Sequence, residues 1–183
     1  EPQYIMPFAS IEELEHISEA AATIHICPSL STYMGAGLNQ LYGVPEITVP
    51  PAYGVEGTDR WLRALGKVLG KEDVAEEIIK EGHEKYLPEI NKLKGRFKGK
   101  RAYVTAGAAH GQALIQLLRE MGFEVIGASV FHHDPVYDSN DPDEDVLAQA
   151  VRVYGDVPNY HVCNKQACEL VNALVKQKPD FIM

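Results

Sequence analysis

Apolar positions along this chain follow two alternating rhythms. Short β-branched runs bounded by Gly, Pro or Asn predict buried strands; stretches in which apolar residues return every three or four positions predict amphipathic helices. Ser10-Ile11-Glu12-Glu13 has the spacing of a capping box and predicts a helix with Ile11, Leu14, Ile17 and Ala21 on one side. Ala22-Thr23-Ile24-His25-Ile26-Cys27 reads as a strand. Ser29 or Ser31 then caps a helix bearing Leu30, Tyr33, Met34, Leu38 and Leu41, which Tyr42-Gly43-Val44-Pro45 stops before a strand at 47–49. A Pro- and Gly-containing loop leads to Thr58 or Asp59, candidate caps for a helix through Trp61, Leu62, Leu65, Val68 and Leu69 that ends at Gly70. The pattern from Lys71 to Phe97 is helical again, with Gly82 and Pro88 as points where it would bend or break.

A second regular block follows Gly99. Strands are expected at 101–105, 123–127, 159–162 and 181–182, with helices at 112–121, 146–154 and 165–177. Strands alternating with helices of this length predict an α/β fold: a three-layer, flavodoxin- or Rossmann-like parallel sheet with helices on both faces. The 183 residues suit a single α/β domain. The chain begins at Glu1 without an initiator methionine and stops at Pro179-Asp180-Phe181-Ile182-Met183, in what reads as the start of a buried strand; the expectation is a piece excised from a longer polypeptide.

Composition narrows the function classes. A formal charge of −9 argues against a nucleic-acid surface, and the one basic cluster, Lys92-Lys94-Arg96-Lys98-Lys100-Arg101, reads as a solvated helix end and turn. No apolar run is long enough to suggest a membrane span. Three cysteines, Cys27, Cys163 and Cys168, cannot build a disulfide framework and suit a reducing cytoplasm.

Candidate chemistry concentrates at two loops. Cys27 ends a strand ahead of a helix amino terminus, where a thiolate can ligate a soft metal or act as a nucleophile; a buried core cysteine is the plain alternative. His25, two residues earlier, would share its face if the strand is regular. Gly107-Ala108-Ala109-His110-Gly111 follows a strand and opens a helix, a setting where backbone N–H groups meet anions, although it fits neither standard phosphate-binding motif. Its small residues imply close approach of a ligand or of a neighbouring element. His110 is placed to donate a hydrogen bond there, or simply to cap the helix or face solvent. His132-His133-Asp134, Tyr137-Asp138 and Asp141 to Asp145 hold potential hard-metal ligands but lack a Ca²⁺-loop pattern, and they also suit the positive end of the following helix. Cys163 and Cys168 are spaced wrongly for a zinc knuckle. No catalytic triad or carboxylate pair is expected.

The order of these features resembles the α-type subunits of nitrogenase component 1 and their relatives. In that family a strand leads into a cysteine, with a tyrosine six residues on and a Tyr-Gly-(Ile/Val)-Pro after the helix; here these are Cys27, Tyr33 and Tyr42-Gly43-Val44-Pro45. The basic lead 94–101, the loop 107–111, Met121-Gly122-Phe123-Glu124-Val125-Ile126-Gly127, His133, Tyr137-Asp138 and Lys178-Pro179-Asp180 also have counterparts. The resemblance implies that the chain is the middle domain of a three-domain subunit. That subunit would pair with a homologous second component 1 subunit and receive electrons from an ATP-dependent iron–sulfur reductase.

It implies multi-electron reduction at an iron–sulfur cofactor, with or without a heterometal. Cys27 would be the metal ligand, and His25, Gly107, Ala109, His110 and Gly111 would line the cofactor. The piece alone is expected to bind no cofactor and to be inactive. In molybdenum nitrogenases the cofactor loop carries arginines, whereas here the matching positions are Ala109, His110, Gly111 and Gln112. That departure leaves a cofactor-assembly scaffold as the alternative, and a metal-free small-molecule-binding α/β domain as the plainest one.

Overall fold

A computed structural model describes residues 9–25, 28–131, 146–162 and 167–183. The amino-terminal helix is short: α1 spans Ile11–Glu15 and gives way to a 3₁₀ turn at Ile17–Glu19. The capping box forms as expected, with Glu13 N–H donating to Ser10 Oγ and Ser10 N–H to the Glu13 carboxylate. The predicted apolar side does not become core, however, since Ile11 is exposed. Two parallel strands, β1 (Thr23–Ile24) and β2 (Glu46–Ile47), form a small sheet bridged by α2 (Pro28–Tyr42). This helix starts at Pro28, so the two candidate cap serines lie inside it; proline suits a first helical position because its missing N–H would have no intrahelical partner there. Only part of the predicted α2 stripe is covered: Leu38 is buried, whereas Tyr33, Met34 and Leu41 are exposed.

α3 (Gly54–Leu69) and α4 (Glu72–Phe97) pack as a helical hairpin. Gly70 joins them in a left-handed conformation (φ 61°), and the N–H of Lys71 returns to the carbonyl of Gly66 at 2.8 Å, the αL ending that glycine favours. Pro88 sits inside α4 without ending it. On this exposed turn the bond lost at the proline nitrogen is one that water can replace.

The larger sheet is parallel, in the order β5-β4-β3-β6, from β3 (Arg101–Gly107), β4 (Glu124–Phe131), β5 (Tyr160–Val162) and β6 (Phe181–Ile182). Its connections are α5 (Ala108–Glu120), α6 (Val146–Tyr154) and α7 (Ala167–Gln177). Right-handed crossovers put α5 and α6 on one face, where they touch each other, and send α7 to the other as the chain returns across the sheet. This is the expected α/β architecture, with parallel strands and helices on both sides.

The core lies between α5 and the β3–β4 pair, around Ala102, Val104, Ile115, Leu118, Val125 and Ala128. Tyr103 is wholly buried, its hydroxyl 2.8 Å from Ser129 Oγ and its ring against Gly127, where a Cβ would lie 2.5 Å from the ring. Burying so large a side chain on β3 thus depends on β4 having no side chain at that point.

Candidate functional site

In an open parallel sheet, ligands meet the carboxyl ends of the strands where successive connections leave in opposite directions. Here the chain runs from β3 outward through β4 to β5, then returns to β6 on the other side of β3. The switch point therefore lies at the end of β3, which is Gly107.

The structure corrects the outline of the predicted loop. Gly107 is both the last residue of β3 and the N-cap of α5, and Ala108 to Gly111 already form the first helical turn. Two alanines favour helix strongly enough to carry it back to the end of the strand. Among the described residues this amino terminus has no side-chain cap, and its first turn holds no acidic residue. Its leading N–H groups, which no helical carbonyl can satisfy, carry the partial positive charge of the helix end.

The two glycines of the segment serve different ends. A Cβ at Gly107 would meet nothing within 4 Å, whereas one at Gly111 would come 2.2 Å from Val130 Cγ1 on β4. The smallness of Gly111 lets α5 lie close on the sheet, while Gly107 faces open space.

His110 is braced rather than loose. Its Nδ1 and the hydroxyl of Tyr53, the residue preceding α3, share a 2.9 Å hydrogen bond, with the ring centroids 5.8 Å apart. Gln116, buried on the face of α5 that meets α3, donates from Nε2 to Glu56 (3.0 Å) and accepts from Arg60 (3.1 Å), and the Tyr154 hydroxyl donates to the same Glu56 carboxylate at 2.9 Å. Burial pushes the Tyr154 hydroxyl pKa up and, with Glu56 opposing it, pulls the Arg60 guanidinium pKa down. Gln112, one turn closer to Gly107 on the same face, is 7% exposed, and its Nε2 is buried with no hydrogen-bond partner among the described residues.

At the far end of α5 a residue overlooked in the sequence organises the neighbouring helix. Glu120 receives the Val55 N–H on both carboxylate oxygens, at 3.0 and 3.1 Å, and so caps α3 from outside it. This explains why α3 begins at Gly54 rather than at Thr58 or Asp59. Gly54 is required there twice over, by φ 73° and because a Cβ would fall 2.1 Å from Glu120 Oε2. Burial raises the Glu120 pKa, and the bonds from Val55 oppose the shift. Close by, α3, α4 and the end of α5 enclose a largely apolar cavity of about 460 Å³, with His83 and Asp59 paired on its wall at 2.9 Å.

His25 lies just past β1. It is buried and pairs through Nε2 with Glu46 Oε1 of β2 at 2.5 Å. Gly35 of α2 packs against this pair, since a Cβ there would lie 2.7 Å from both the Glu46 oxygen and the His25 ring. His25 thus ties β1, β2 and α2 together, while His110, Gly107, Ala109 and Gly111 gather at the end of the larger sheet. Cys27 lies outside the described residues, as do the His132 to Asp145 segment and Cys163; Cys168 is an exposed free thiol. Among the described residues no group of three or more His, Cys, Asp and Glu side chains is placed to hold a metal, and no helix is long and apolar enough to cross a membrane.

Comparison with known proteins fits this fold. The chain is 31% identical over 177 residues to the nitrogenase molybdenum-iron protein alpha chain of Methanothermobacter thermautotrophicus, an alignment covering 94% of this chain and 34% of the relative. It is 27% identical over 160 residues to the nitrogenase iron-molybdenum cofactor biosynthesis protein NifE of Methanococcus maripaludis, covering 86% of this chain and 31% of that protein. The chain therefore spans about a third of the length of these relatives. A solved structure, nitrogenase Cp1 at pH 6.5, superposes over all of this chain and 38% of its own, with a TM-score of 0.77 at 16% identity, a likeness of fold. The family profile for nitrogenase component 1 type oxidoreductases matches residues 2–183, and the chain belongs to that family.

Proposed function

We propose that this chain is the cofactor-facing middle domain of a larger subunit of a nitrogenase-like oxidoreductase, which binds an iron–sulfur cofactor, with or without a heterometal, for multi-electron reduction. The observation that carries this reading is the uncapped amino terminus of α5 at the switch point of the sheet, in a chain whose family profile runs over residues 2–183. The groups gathered there can donate: the N–H groups of the first turn and the His110 imidazole. Such a set suits a group rich in acceptor atoms and negative charge. The coverage of 34% of the alpha-chain relative supports a larger parent.

In this reading Cys27 holds the metal through its thiolate, a soft ligand suited to iron–sulfur clusters. The backbone from Gly107 through Ala109 to Gly111 sets the cofactor against the helix end. In the tautomer in which His110 Nδ1 accepts from the Tyr53 hydroxyl, Nε2–H is presented as a fixed donor. His25 acts at a distance from the ligand, by holding β1 and α2 in register through Glu46. When bound, the cofactor supplies the electrons stored for reduction; the protein binds it, orients it and fixes hydrogen bonds to it. A homologous second component 1 subunit and an ATP-dependent iron–sulfur reductase complete the assembly.

The NifE relatives and the absence of arginine from 108–112 favour a second reading, a scaffold that assembles a cofactor and hands it over. The two separate on anaerobically purified full-length complex. Turnover of a reducible substrate with the reductase and ATP is the expected result for the oxidoreductase. Transfer of a cluster to an acceptor protein without turnover would establish the scaffold instead.

A further inference from the structure

Among the described residues, one face of α4 is left uncovered. The helix packs mainly against α3, yet Val74, Ile78 and Tyr86, which fall in one row at intervals of four, are each about half exposed. The fourth member of the row is Gly82, where a Cβ would meet nothing within 4 Å among the described residues. Glycine is the poorest helix former after proline, and packing among these residues gives no reason for it. A glycine within an apolar row leaves a notch that a second backbone or a bulky side chain can approach closely. Ile78, Gly82 and Tyr86 also line the cavity of about 460 Å³ between α3, α4 and the end of α5. A space of that size is far above the voids that packed interiors retain. Its polar wall groups are engaged with one another: Asp59 pairs with His83, Glu120 holds the Val55 N–H, and the Thr58 hydroxyl donates to the Gly54 carbonyl. A pocket built for a small molecule keeps polar groups free to orient it. This one suits an occupant held by apolar contact and positioned by its own backbone.

We infer that this groove seats a segment of the parent polypeptide from outside residues 1–183, which crosses α4 at Gly82 and places large apolar side chains in the cavity. The inference rests on the reading above only in taking the parent to be longer than this chain. The alignment with the alpha-chain relative covers 94% of this chain but 34% of that protein, so about two thirds of such a polypeptide remains to supply the segment. A tethered segment meets the groove at high effective concentration, whereas a free molecule must also lose its translational freedom. A contiguous apolar row opening on an apolar cavity is the kind of surface such contacts use.

The experiment uses the full-length parent subunit carrying Ile78→Cys or Tyr86→Cys, with Glu84→Cys, at an exposed position of the same helix, as the control. Maleimide labelling is followed peptide by peptide by mass spectrometry. Positions 78 and 86 are expected to react about tenfold or more slower than position 84, in the subunit alone and at every protein concentration, because reaction there must await local opening. Gly82→Leu supplies a second readout. On helix propensity it should raise the melting temperature of the parent; with the notch occupied it is expected to lower it.

If positions 78 and 86 label as fast as position 84, or if Gly82→Leu raises the melting temperature, the groove is open in the parent and the inference falls while the cofactor reading stands. Shielding that needs the partner subunit, or that appears only at high protein concentration, would give the groove to that subunit or to a second copy and overturn the inference. Shielding lost when a bound small molecule is extracted and detected by mass spectrometry would overturn it too. If the intact protein proves no longer than this chain, the inference and the larger-subunit reading fall together.

Discussion

Gly111→Ala separates a helix built for close packing from one that is merely permissive. On helix propensity alone the change should stabilise, since alanine is favoured over glycine in a helix by about 1 kcal/mol. The structure predicts the opposite. The new methyl would lie 2.2 Å from Val130 Cγ1, far inside the roughly 3.5–4.0 Å of an ordinary carbon–carbon contact. Val130 cannot easily yield. It is wholly buried on β4, flanked in register by Ala106 of β3 and Val162 of β5, and its β-branched side chain has few rotamers. Overpacking of this kind costs about 1–3 kcal/mol, and a clash this deep belongs at the upper end, so the net expectation is a loss of about 1–2 kcal/mol. Urea unfolding monitored by circular dichroism should show a lower midpoint at unchanged slope. Val130→Ala should partly relieve the strain, making the double variant less destabilised than the sum of the singles by about 1 kcal/mol. Stabilisation of Gly111→Ala by about 1 kcal/mol, with additive behaviour in the double variant, would refute the packing argument and return Gly111 to the set of residues kept small for a ligand.

Two further predictions concern groups that position the site. Burial raises the folded-state pKa of Glu120 above its unfolded value, so its contribution to stability is complete below the ordinary glutamate pKa of about 4.3 and declines as pH rises through the folded value. Glu120→Gln keeps an oxygen for the Val55 N–H without the titration. Wild type should therefore lose ground to the variant in urea unfolding as pH rises from 4.5 to 8, and a pH-independent difference would count against burial as the dominant cause. Tyr53→Phe removes the 2.9 Å bond to His110 and should cost about 0.5–1.5 kcal/mol. It should also release the imidazole, seen as a shift of the His110 Nδ1 resonance in long-range ¹⁵N correlation spectra; an unmoved resonance would show that Tyr53 does not hold the ring.

The element order was legible because hydrophobic period and turn chemistry agree across most of the chain: the Ser10–Glu13 box, the left-handed Gly70 and the bounds of α6 all stand where residue type places them. The misreadings share a cause, the decisive partner being distant in sequence. α3 starts early because Glu120, 65 positions beyond Val55, supplies its cap, and no local window contains both. His25 and Gly35 make sense only against Glu46, which α2 carries into place. The segment 108–111 reads as a loop from its small residues, yet its alanines continue the helix and its glycine answers Val130 across the layer. Much of the α2 stripe is exposed because periodicity reports that a face is apolar, not that this chain alone covers it. The candidate site reads from the sequence as two loops, of which the one around Cys27 lies outside the described residues; the orphaned Gln112 amide appears only when every neighbour has been placed.

The most direct test of the account is the iron content and electron paramagnetic resonance spectrum of the full-length parent, prepared anaerobically with its partner subunit, with and without Cys27→Ala. The account predicts that the substitution abolishes one cluster signal together with its share of iron while the protein stays folded. Identical iron and identical spectra in the two proteins would contradict it, leaving Cys27 a structural residue and the end of β3 without the cofactor assigned to it.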